Sequence, residues 1–171
     1  MRSVFIFFLI TATRYCFAQE NQYKDQRSSG AEDSACIKKA NAMIRQVKNV
    51  GDQCRYNLNE DFLTVMTPAD STRKEILIRI LNLGEASNIE VEVVAMKWQG
   101  QDNEGHDAFI TINNPFKVPL PSDFTLPRCG GMSFKQKALL HNNILYSHIT
   151  YMKLAIYSDS KEILIELGKP Q

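Results

Sequence analysis

The chain has 171 residues, of which 44% are hydrophobic, and its 20 Lys and Arg side chains nearly balance its 19 Asp and Glu side chains. This balance excludes a general electrostatic attraction to nucleic acid or to anionic lipid, so we expect no nucleic-acid partner. The length fits one domain with a proper hydrophobic core and is short for two domains.

The first 18 residues have the features of a signal peptide. Arg2 supplies a basic start, residues 4–12 form an apolar run, and Cys16 and Ala18 are small residues at positions −3 and −1 of a cleavage site before Gln19. The apolar run is much shorter than the ~20 residues that a membrane-spanning helix needs. We therefore expect a secreted, extracellular protein without a membrane span.

Two further segments complete the predicted organisation. Residues 19–33 are polar and contain Ser28, Ser29 and Gly30, so we predict a disordered lead-in there. Residues 34–171 follow as a single β-rich domain. The predicted domains are thus the signal peptide at 1–18, the lead-in at 19–33 and the β-rich domain at 34–171.

One helix is predicted over residues 34–50. Its apolar residues recur at a spacing of three and four, which places them on one helical face: Cys36, Ala40, Met43, Ile44 and Val47. Its basic residues occupy the rest of the surface: Lys38, Lys39, Arg45 and Lys48. We expect these basic residues to form a solvated surface on a helix that packs against a sheet, with contact to an acidic partner as the alternative.

The strongest strand signals lie at residues 75–83, 89–98 and 107–112, where β-branched residues alternate with a period of two. Both faces of the first segment are largely apolar, which predicts a central strand covered on two sides. The turn-prone residues 84–88 predict that it forms a hairpin with the second segment. In that second segment Glu90 and Glu92 should face water, and Val94, Met96 and Trp98 should turn inward near its end.

Further segments complete the predicted sheet structure. Strands are predicted at residues 62–66, 144–157 and 162–167, a loop at 52–61, and either a short helix or a strand at 133–140. Because the strands are joined by hairpins, the fold class is mainly β: an antiparallel β-sandwich with one N-terminal amphipathic helix. The alternative is an α+β fold in which a single curled antiparallel sheet packs on the helix.

Three cysteines remain after the signal peptide is removed, and these can form one disulfide. The predicted helix separates Cys36 from Cys54 by about 20 Å, more than a short return can close, so that pair is disfavoured. Cys129 is then the shared partner. We favour Cys54–Cys129, because both cysteines lie in polar, turn-rich surroundings, and this pairing would leave Cys36 as a buried, inert thiol. The alternative is Cys36–Cys129.

Two polar or proline-rich segments form the candidate binding surface. The first is the hairpin tip at residues 99–106, with Asp102, Asn103, Glu104 and His106. The second is the segment 116–132, from which we single out Phe116 and Phe124; its prolines predict extended chain that packs along a sheet edge or closes one end of the fold. The acidic residues of the tip could hold Ca²⁺, but their spacing differs from the EF-hand loop, so we expect an ordinary turn and no metal.

The sequence lacks the motifs of common catalytic sites. It has no G-x-S-x-G elbow, no phosphate-binding glycine loop and no HExxH pattern, and Cys129 is more typical of a disulfide than of a nucleophile. We expect a non-enzymatic binding protein without a cofactor, whose partner is an extracellular protein. The alternative is a carrier of a small apolar ligand, lined by Met96, Trp98, Phe109 and Phe124, or a glycan-binding module; a secreted hydrolase is the weakest hypothesis.

Overall fold

The structure is a computed structural model, and it describes residues 31–48, 55–69, 74–85, 87–158 and 161–169. The chain divides into two compact units, Met1–Ala35 and Cys36–Gln171, and of the first the structure describes only the beginning of the helix. The predicted signal peptide and most of the predicted lead-in lie outside the described residues and stay predictions.

The described part of the chain contains one helix, α1 (Ala31–Lys48), and ten strands. The strands are β1 (Arg55–Leu58), β2 (Phe62–Pro68), β3 (Glu75–Asn82), β4 (Ile89–Gln101), β5 (Asp107–Ile112), β6 (Phe116–Lys117), β7 (Gly131–Lys137), β8 (Leu139–His141), β9 (Ile144–Ser158) and β10 (Lys161–Gly168). Since α1 begins at Ala31, a strong helix former, the last part of the predicted lead-in is helical and not disordered. The predicted helix end at residue 50 lies outside the described residues.

The strands form two antiparallel sheets. The four-stranded sheet has the order β1-β2-β3-β7, and the six-stranded sheet has the order β10-β9-β4-β5, with β6 also paired to β4 and β8 to β9. One of the sheets is strongly curled. The prediction of a mainly β, antiparallel fold with a single helix is confirmed.

Strand β3 shows how the layers are assembled, because both of its faces are covered. Ile78 and Ile80 are fully buried in the core between the sheets, together with Trp98 and Leu154 of the six-stranded sheet. Leu81 belongs to a second apolar cluster, which α1 forms with the outer face of the four-stranded sheet. That cluster contains Cys36, Ala40, Val47, Leu63, Val65, Leu81 and Leu83. The prediction that this strand is central and covered on two sides is confirmed.

The predicted hairpin between the two strongest strands is wrong. Strand β3 pairs with β2 and β7, whereas β4 pairs with β9, β5 and β6 in the other sheet. After β3 the chain does not turn back, because the N–H groups of Leu83 and Gly84 both donate to the carbonyl of Asp61, at 2.7 and 3.1 Å. These bonds carry the chain past the end of β2 and across to the six-stranded sheet.

The side chains of β4 that face the core change from odd-numbered to even-numbered residues part of the way along the strand. Its pairing with β9 shifts between Val93 and Ala95, which is the mark of a β-bulge. Val91 and Val93 are buried before the bulge, and Met96 and Trp98 are buried after it. The prediction that Met96 and Trp98 turn inward is therefore confirmed, whereas Val94, which was predicted with them, lies at the bulge, is only half-buried and belongs to neither core cluster.

Three other segments refine the predicted elements. The predicted loop at 52–61 contains the strand β1, whose four residues pair with β2. The segment 133–140, for which the sequence allows a short helix or a strand, lies in the strands β7 and β8, with Ala138 between them. The proline-rich segment does run along a sheet edge, as predicted, because β6 pairs with Glu92 and Val93 of β4.

The disulfide joins Cys36 to Cys129, with 5.1 Å between the two Cα atoms. The favoured pairing of Cys54 with Cys129 is therefore wrong, and the alternative pairing is the observed one; Cys54 itself lies outside the described residues. The reason is the position of α1: its apolar face packs on the four-stranded sheet and brings Cys36 beside the turn that precedes β7. Lys39 reinforces this contact, since its ammonium donates to the Cys129 carbonyl at 2.8 Å.

Candidate functional site

The predicted binding surface consists of two separate parts in the structure. Asp102, Asn103, Glu104 and His106 follow the last residue of β4, whereas the segment with Phe124 lies beside its first residues. Strand β4 has 13 residues, and a strand rises about 3.3 Å per residue, so roughly 40 Å of chain separate the two parts. They cannot line one small site.

The hairpin tip is a turn organised by the Asp102 side chain. Its Oδ1 accepts hydrogen bonds from the backbone N–H groups of Glu104 and His106, at 2.9 and 2.8 Å. The N–H of His106, with smaller contributions from Glu104 and Gly105, holds the pKa of Asp102 below its ordinary value. Gly105 has a φ of +83°, which favours glycine at this position. This geometry agrees with the expected turn.

The imidazole of His106 lies between two carboxylates at the tip. Its Nδ1 is 3.4 Å from an oxygen of Asp102 and 3.5 Å from an oxygen of Glu104. The side chains of His106 and Glu104 are well exposed to water and that of Asp102 is partly exposed, so these contacts add little to stability. Among the residues that the structure describes, no three His, Cys, Asp or Glu side chains come together as a metal site would require.

The proline-rich segment forms a loop that is held at one end against β4 and at the other against the two residues that precede β4. At one end the N–H of Val118 donates to the carbonyl of Val91 at 2.8 Å, and at the other the N–H of Leu126 donates to the carbonyl of Ser87 at 2.7 Å. Thr125 adds an isolated antiparallel bridge to Asn88. The loop between these anchors, residues 118–125, is therefore fixed at its ends and stiffened inside by Pro119 and Pro121.

Between this loop and β4 lies an open groove of about 610 Å³, which we call the proline groove. It is lined by residues 88–91 and 117–122 and by Phe124 and Tyr157. Phe124, a residue of the predicted binding surface, thus lines the groove. Phe116 does not line it: this residue pairs with Val93 further along β4, and 38% of its side chain is exposed.

The rim of the groove carries two polar contacts. The ammonium of Lys117 donates to a carboxylate oxygen of Glu90 at 2.5 Å, and this bond raises the pKa of Lys117. The hydroxyl of Tyr157 donates to a carboxylate oxygen of Glu92 at 2.9 Å. That bond raises the pKa of Tyr157 to about 12, because it stabilises the protonated phenol, with smaller effects from burial and Glu162.

The Tyr157 contact gives a pH-dependent prediction. Replacing Glu92 by Gln should lower the pKa of Tyr157 from about 12 toward the ordinary value of about 10. Because the folded-state pKa is raised, the contact stabilises the fold below pH ~10, and this stabilisation is lost as the pH rises through the folded-state pKa. Ultraviolet absorbance of tyrosinate, measured as the difference between the protein and its Tyr157→Phe variant, follows the titration.

Glu166→Gln is the matched control for this titration. Glu166 accepts a hydrogen bond from Tyr151 at 3.1 Å, on the neighbouring strand pair. The pKa of Tyr151 is raised first by burial and then by Glu166, so this variant should change the titration of Tyr151 and leave that of Tyr157 unchanged. A Tyr157 pKa that stays near 12 in Glu92→Gln would show that the carboxylate is not its cause.

The floor of the groove offers a backbone acceptor. The carbonyl of Val91 points out of the edge of β4, since it accepts the bond from Val118. Residues two apart in a strand direct their carbonyls to the same side, so the carbonyl of Ile89 points toward the loop as well. Pro119 and Pro121 have no N–H and cannot donate to it.

The four side chains proposed to line a ligand cavity do not converge. Trp98 and Met96 are buried in the core between the sheets, and Phe124 packs against the edge of that core. Phe109 is 50% exposed on β5, and the ammonium of Lys97 lies 5.1 Å from the centre of its ring. Cys129, considered as a nucleophile, has its sulfur in the disulfide.

Sequence reasoning missed an exposed apolar pair at the hairpin that joins β8 to β9. Leu140 and Leu145 are direct partners across this hairpin, and 70% and 46% of their side chains are exposed. The turn consists of Asn142 and Asn143, both with positive φ, as a type I′ turn requires. Two adjacent asparagines between apolar runs were the signal that could have revealed this hairpin.

The helix that the structure describes is not long and apolar enough to serve as a membrane span. No family model matches the chain, and no curated protein matches it. Among solved structures it is similar to the Northeast Structural Genomics Consortium target SoR45, at 13% identity and a TM-score of 0.27 over 68% of this chain and 79% of that one. It is also similar to a protein from Bordetella pertussis described as an ApaA protein, at 12% identity and a TM-score of 0.26 over 68% and 96%. Both likenesses are too low to carry an argument about function.

Proposed function

We propose that this protein is a secreted, non-enzymatic binding protein that acts through protein–protein interaction in the extracellular space. The observation that supports it best is the proline groove, where a loop anchored at both ends faces the edge of β4. A site whose walls are ordered before binding loses little conformational entropy when it takes up a partner. We expect the partner to insert an extended segment of its chain.

The chemistry of the groove favours a polypeptide over an apolar small molecule. Phe124 and Leu120 supply apolar surface, and the Ile89 carbonyl offers an acceptor suited to a backbone N–H of the partner. The Lys117–Glu90 ion pair and the Tyr157 hydroxyl at the rim add polar contacts that can select a sequence. An apolar ligand would make no use of these polar groups or of the Ile89 carbonyl.

The alternative of a lipid or sterol carrier has weaker support. A carrier needs an apolar cavity that encloses most of its ligand. Here the large apolar side chains between the sheets, including Trp98, Ile149 and Met152, are themselves fully buried against one another. The groove that the structure does have is open to solvent and bordered by charges.

The test is a selection of peptides from a display library on the immobilised protein, followed by measurement of the Kd of the selected peptide. Ser122→Trp places a large side chain in the groove, and Asn103→Trp makes the matched change at the hairpin tip. We expect Ser122→Trp to weaken binding by about tenfold or more, because the indole takes up space in the groove. A tenfold increase in Kd corresponds to about 1.4 kcal/mol of binding free energy. Asn103→Trp should leave the Kd unchanged, and circular dichroism checks that both variants are folded.

Two results would contradict the proposal. Equal loss of binding in both variants, or loss in Asn103→Trp alone, would remove the groove as the binding site. A lipid that co-purifies with the secreted protein in native mass spectrometry, together with a failure to select any peptide, would favour the carrier instead.

A further inference from the structure

The basic residues of α1 are presented on its solvent side. Lys38 and Arg45 are both exposed and lie seven residues apart, which is about two helical turns, so they project in nearly the same direction. Asn41 and Ala42 lie between them and line the same shallow surface. Neither basic side chain forms an ion pair within the part of the chain that the structure describes.

Strand β7 adds two lysines to the same side of the molecule. In the pairing of β3 with β7, Leu77 lies opposite Lys135 and Glu75 opposite Lys137. Leu77 shares a strand face with Leu81, which packs against α1, so Lys135 and Lys137 stand on the face of the sheet that carries the helix. Both lysines are exposed.

Among the side chains that the structure describes, this side of the molecule, which we call the basic face, has few compensating charges. It comprises six basic residues: Lys38, Lys39, Arg45, Arg79, Lys135 and Lys137. Glu75 is the one carboxylate that β3 and β7 contribute, and it lies 2.8 Å from the ammonium of Lys135. Within α1 the acidic residues Glu32 and Asp33 are confined to the first turn, and residues 34–48 contain none.

The outer face of the six-stranded sheet is different, because charges of both signs are interleaved there. Glu166 lies 3.9 Å from Lys153, and Glu90 pairs with Lys117. Glu92 and Glu162 add acidic groups, and Lys97 adds a basic one. A chain whose charges almost cancel overall therefore concentrates positive charge on one face.

We propose that the basic face binds a sulfated polysaccharide of the glycosaminoglycan class. The basic groups are spread over a surface: about 10 Å separate Lys38 from Arg45 along α1, and about 7 Å separate Lys135 from Lys137 along β7. A linear polymer with repeated sulfates can contact several of these separated basic groups at once, whereas a single small anion cannot. The site is distinct from the proline groove, so it can be tested whether or not the groove binds a peptide.

The side chains of this face favour a polysaccharide over a single-stranded nucleic acid. Nucleic-acid surfaces of that kind combine basic groups with aromatic rings on which bases stack. Residues 34–48, β3 and β7 contain one aromatic residue, Phe134, and it lies opposite Ile78 on the core side of the sheet. The basic face thus offers charge and hydrogen-bond donors without a stacking platform.

The experiment measures binding of the full protein to heparin, the available probe of this class. The variant Lys38→Gln/Arg45→Gln removes two charges from the basic face, and Lys97→Gln/Lys153→Gln removes two from the opposite face. At a salt concentration of about 0.15 M we expect the first variant to bind a heparin oligosaccharide roughly 25-fold more weakly, because each of the two basic contacts with an anionic surface contributes about fivefold. The second variant should bind like the unchanged protein.

Salt dependence and a competing polymer complete the test. The first variant should also elute from immobilised heparin at lower salt than the second, although both have the same net charge. Equal losses in the two variants, or no retention of the unchanged protein on heparin at ~0.15 M salt, would overturn the proposal. A single-stranded oligonucleotide of equal charge that binds as tightly as heparin would overturn the assignment to a polysaccharide.

Discussion

Replacing both Cys36 and Cys129 with alanine should lower the free energy of unfolding by about 2–5 kcal/mol. The disulfide closes a loop with a sequence separation of 93 residues, and in the chain-entropy description a loop of this size contributes at the upper end of that range. The bond also ties α1 to the turn before β7, so its loss weakens the packing of the helix on the four-stranded sheet.

Urea denaturation of the variant and of the unchanged oxidised protein measures this effect. The double substitution is needed because a single free thiol at position 129 could pair with Cys54 and obscure the result. Chemical reduction of the unchanged protein is the matched control, and it should cause a loss of similar size. A loss below ~1 kcal/mol in both cases would mean that burial of the α1 face, and not the covalent bond, holds the helix in place.

Asn82→Ala should lower the free energy of unfolding by about 1–3 kcal/mol, because the buried carbonyl of Leu126 loses the Asn82 donor, whereas the N–H of Gly84 keeps its bond to the carbonyl of Asp61. The Asn82 side chain donates to the carbonyl of Leu126 at 2.7 Å and accepts from the N–H of Gly84 at 3.0 Å. Asn82 itself is fully buried, and Leu126 is 2% exposed, so water cannot replace these bonds readily. The residue therefore fixes both the exit of the chain from β3 and one end of the proline-rich loop.

Asn82→Asp separates the two bonds. The aspartate keeps the acceptor for Gly84 but places a carboxylate oxygen against the carbonyl of Leu126, so we expect it to be at least as destabilising as alanine at neutral pH. Protonation restores a donor, which means that the folded-state pKa of this aspartate is raised and its stability deficit shrinks as the pH falls. Asn103→Ala, at the exposed hairpin tip, should have almost no effect on urea denaturation.

The strands could be predicted from the sequence because their signal is local. The two-residue period around Ile76, Ile78 and Ile80, and again around Val91, depends on burial of alternate residues within one segment. A helix would have required a spacing of three and four. For the same reason the apolar face of α1, with Ala40 and Val47, was predicted correctly.

The arrangement of those strands could not be predicted, because it depends on contacts between distant residues. Residues 84–88 resemble a hairpin turn, yet the bonds from Leu83 and Gly84 to Asp61 direct the chain into the other sheet. The disulfide partner of Cys129 was misjudged for a related reason: the choice between Cys36 and Cys54 depends on where α1 packs.

For the candidate sites too, the individual residues could be predicted from local sequence, but their positions relative to one another could not. Asp102 and Phe124 were identified from turn composition and from the prolines, which are local features. That they lie at opposite ends of β4 depends on strand length and pairing. Likewise Lys38 and Lys137 belong to one basic face only because of the register between β3 and β7.

The anchoring of the proline-rich loop has a consequence for how this protein can diversify. The bonds at Val118 and Leu126 use backbone atoms, so they place no demand on the identity of residues 119–124. Lengthening a surface loop is cheap in entropy, since each doubling of its length costs only ~0.6 kcal/mol. The loop can therefore be exchanged or lengthened while the two sheets beneath it stay the same.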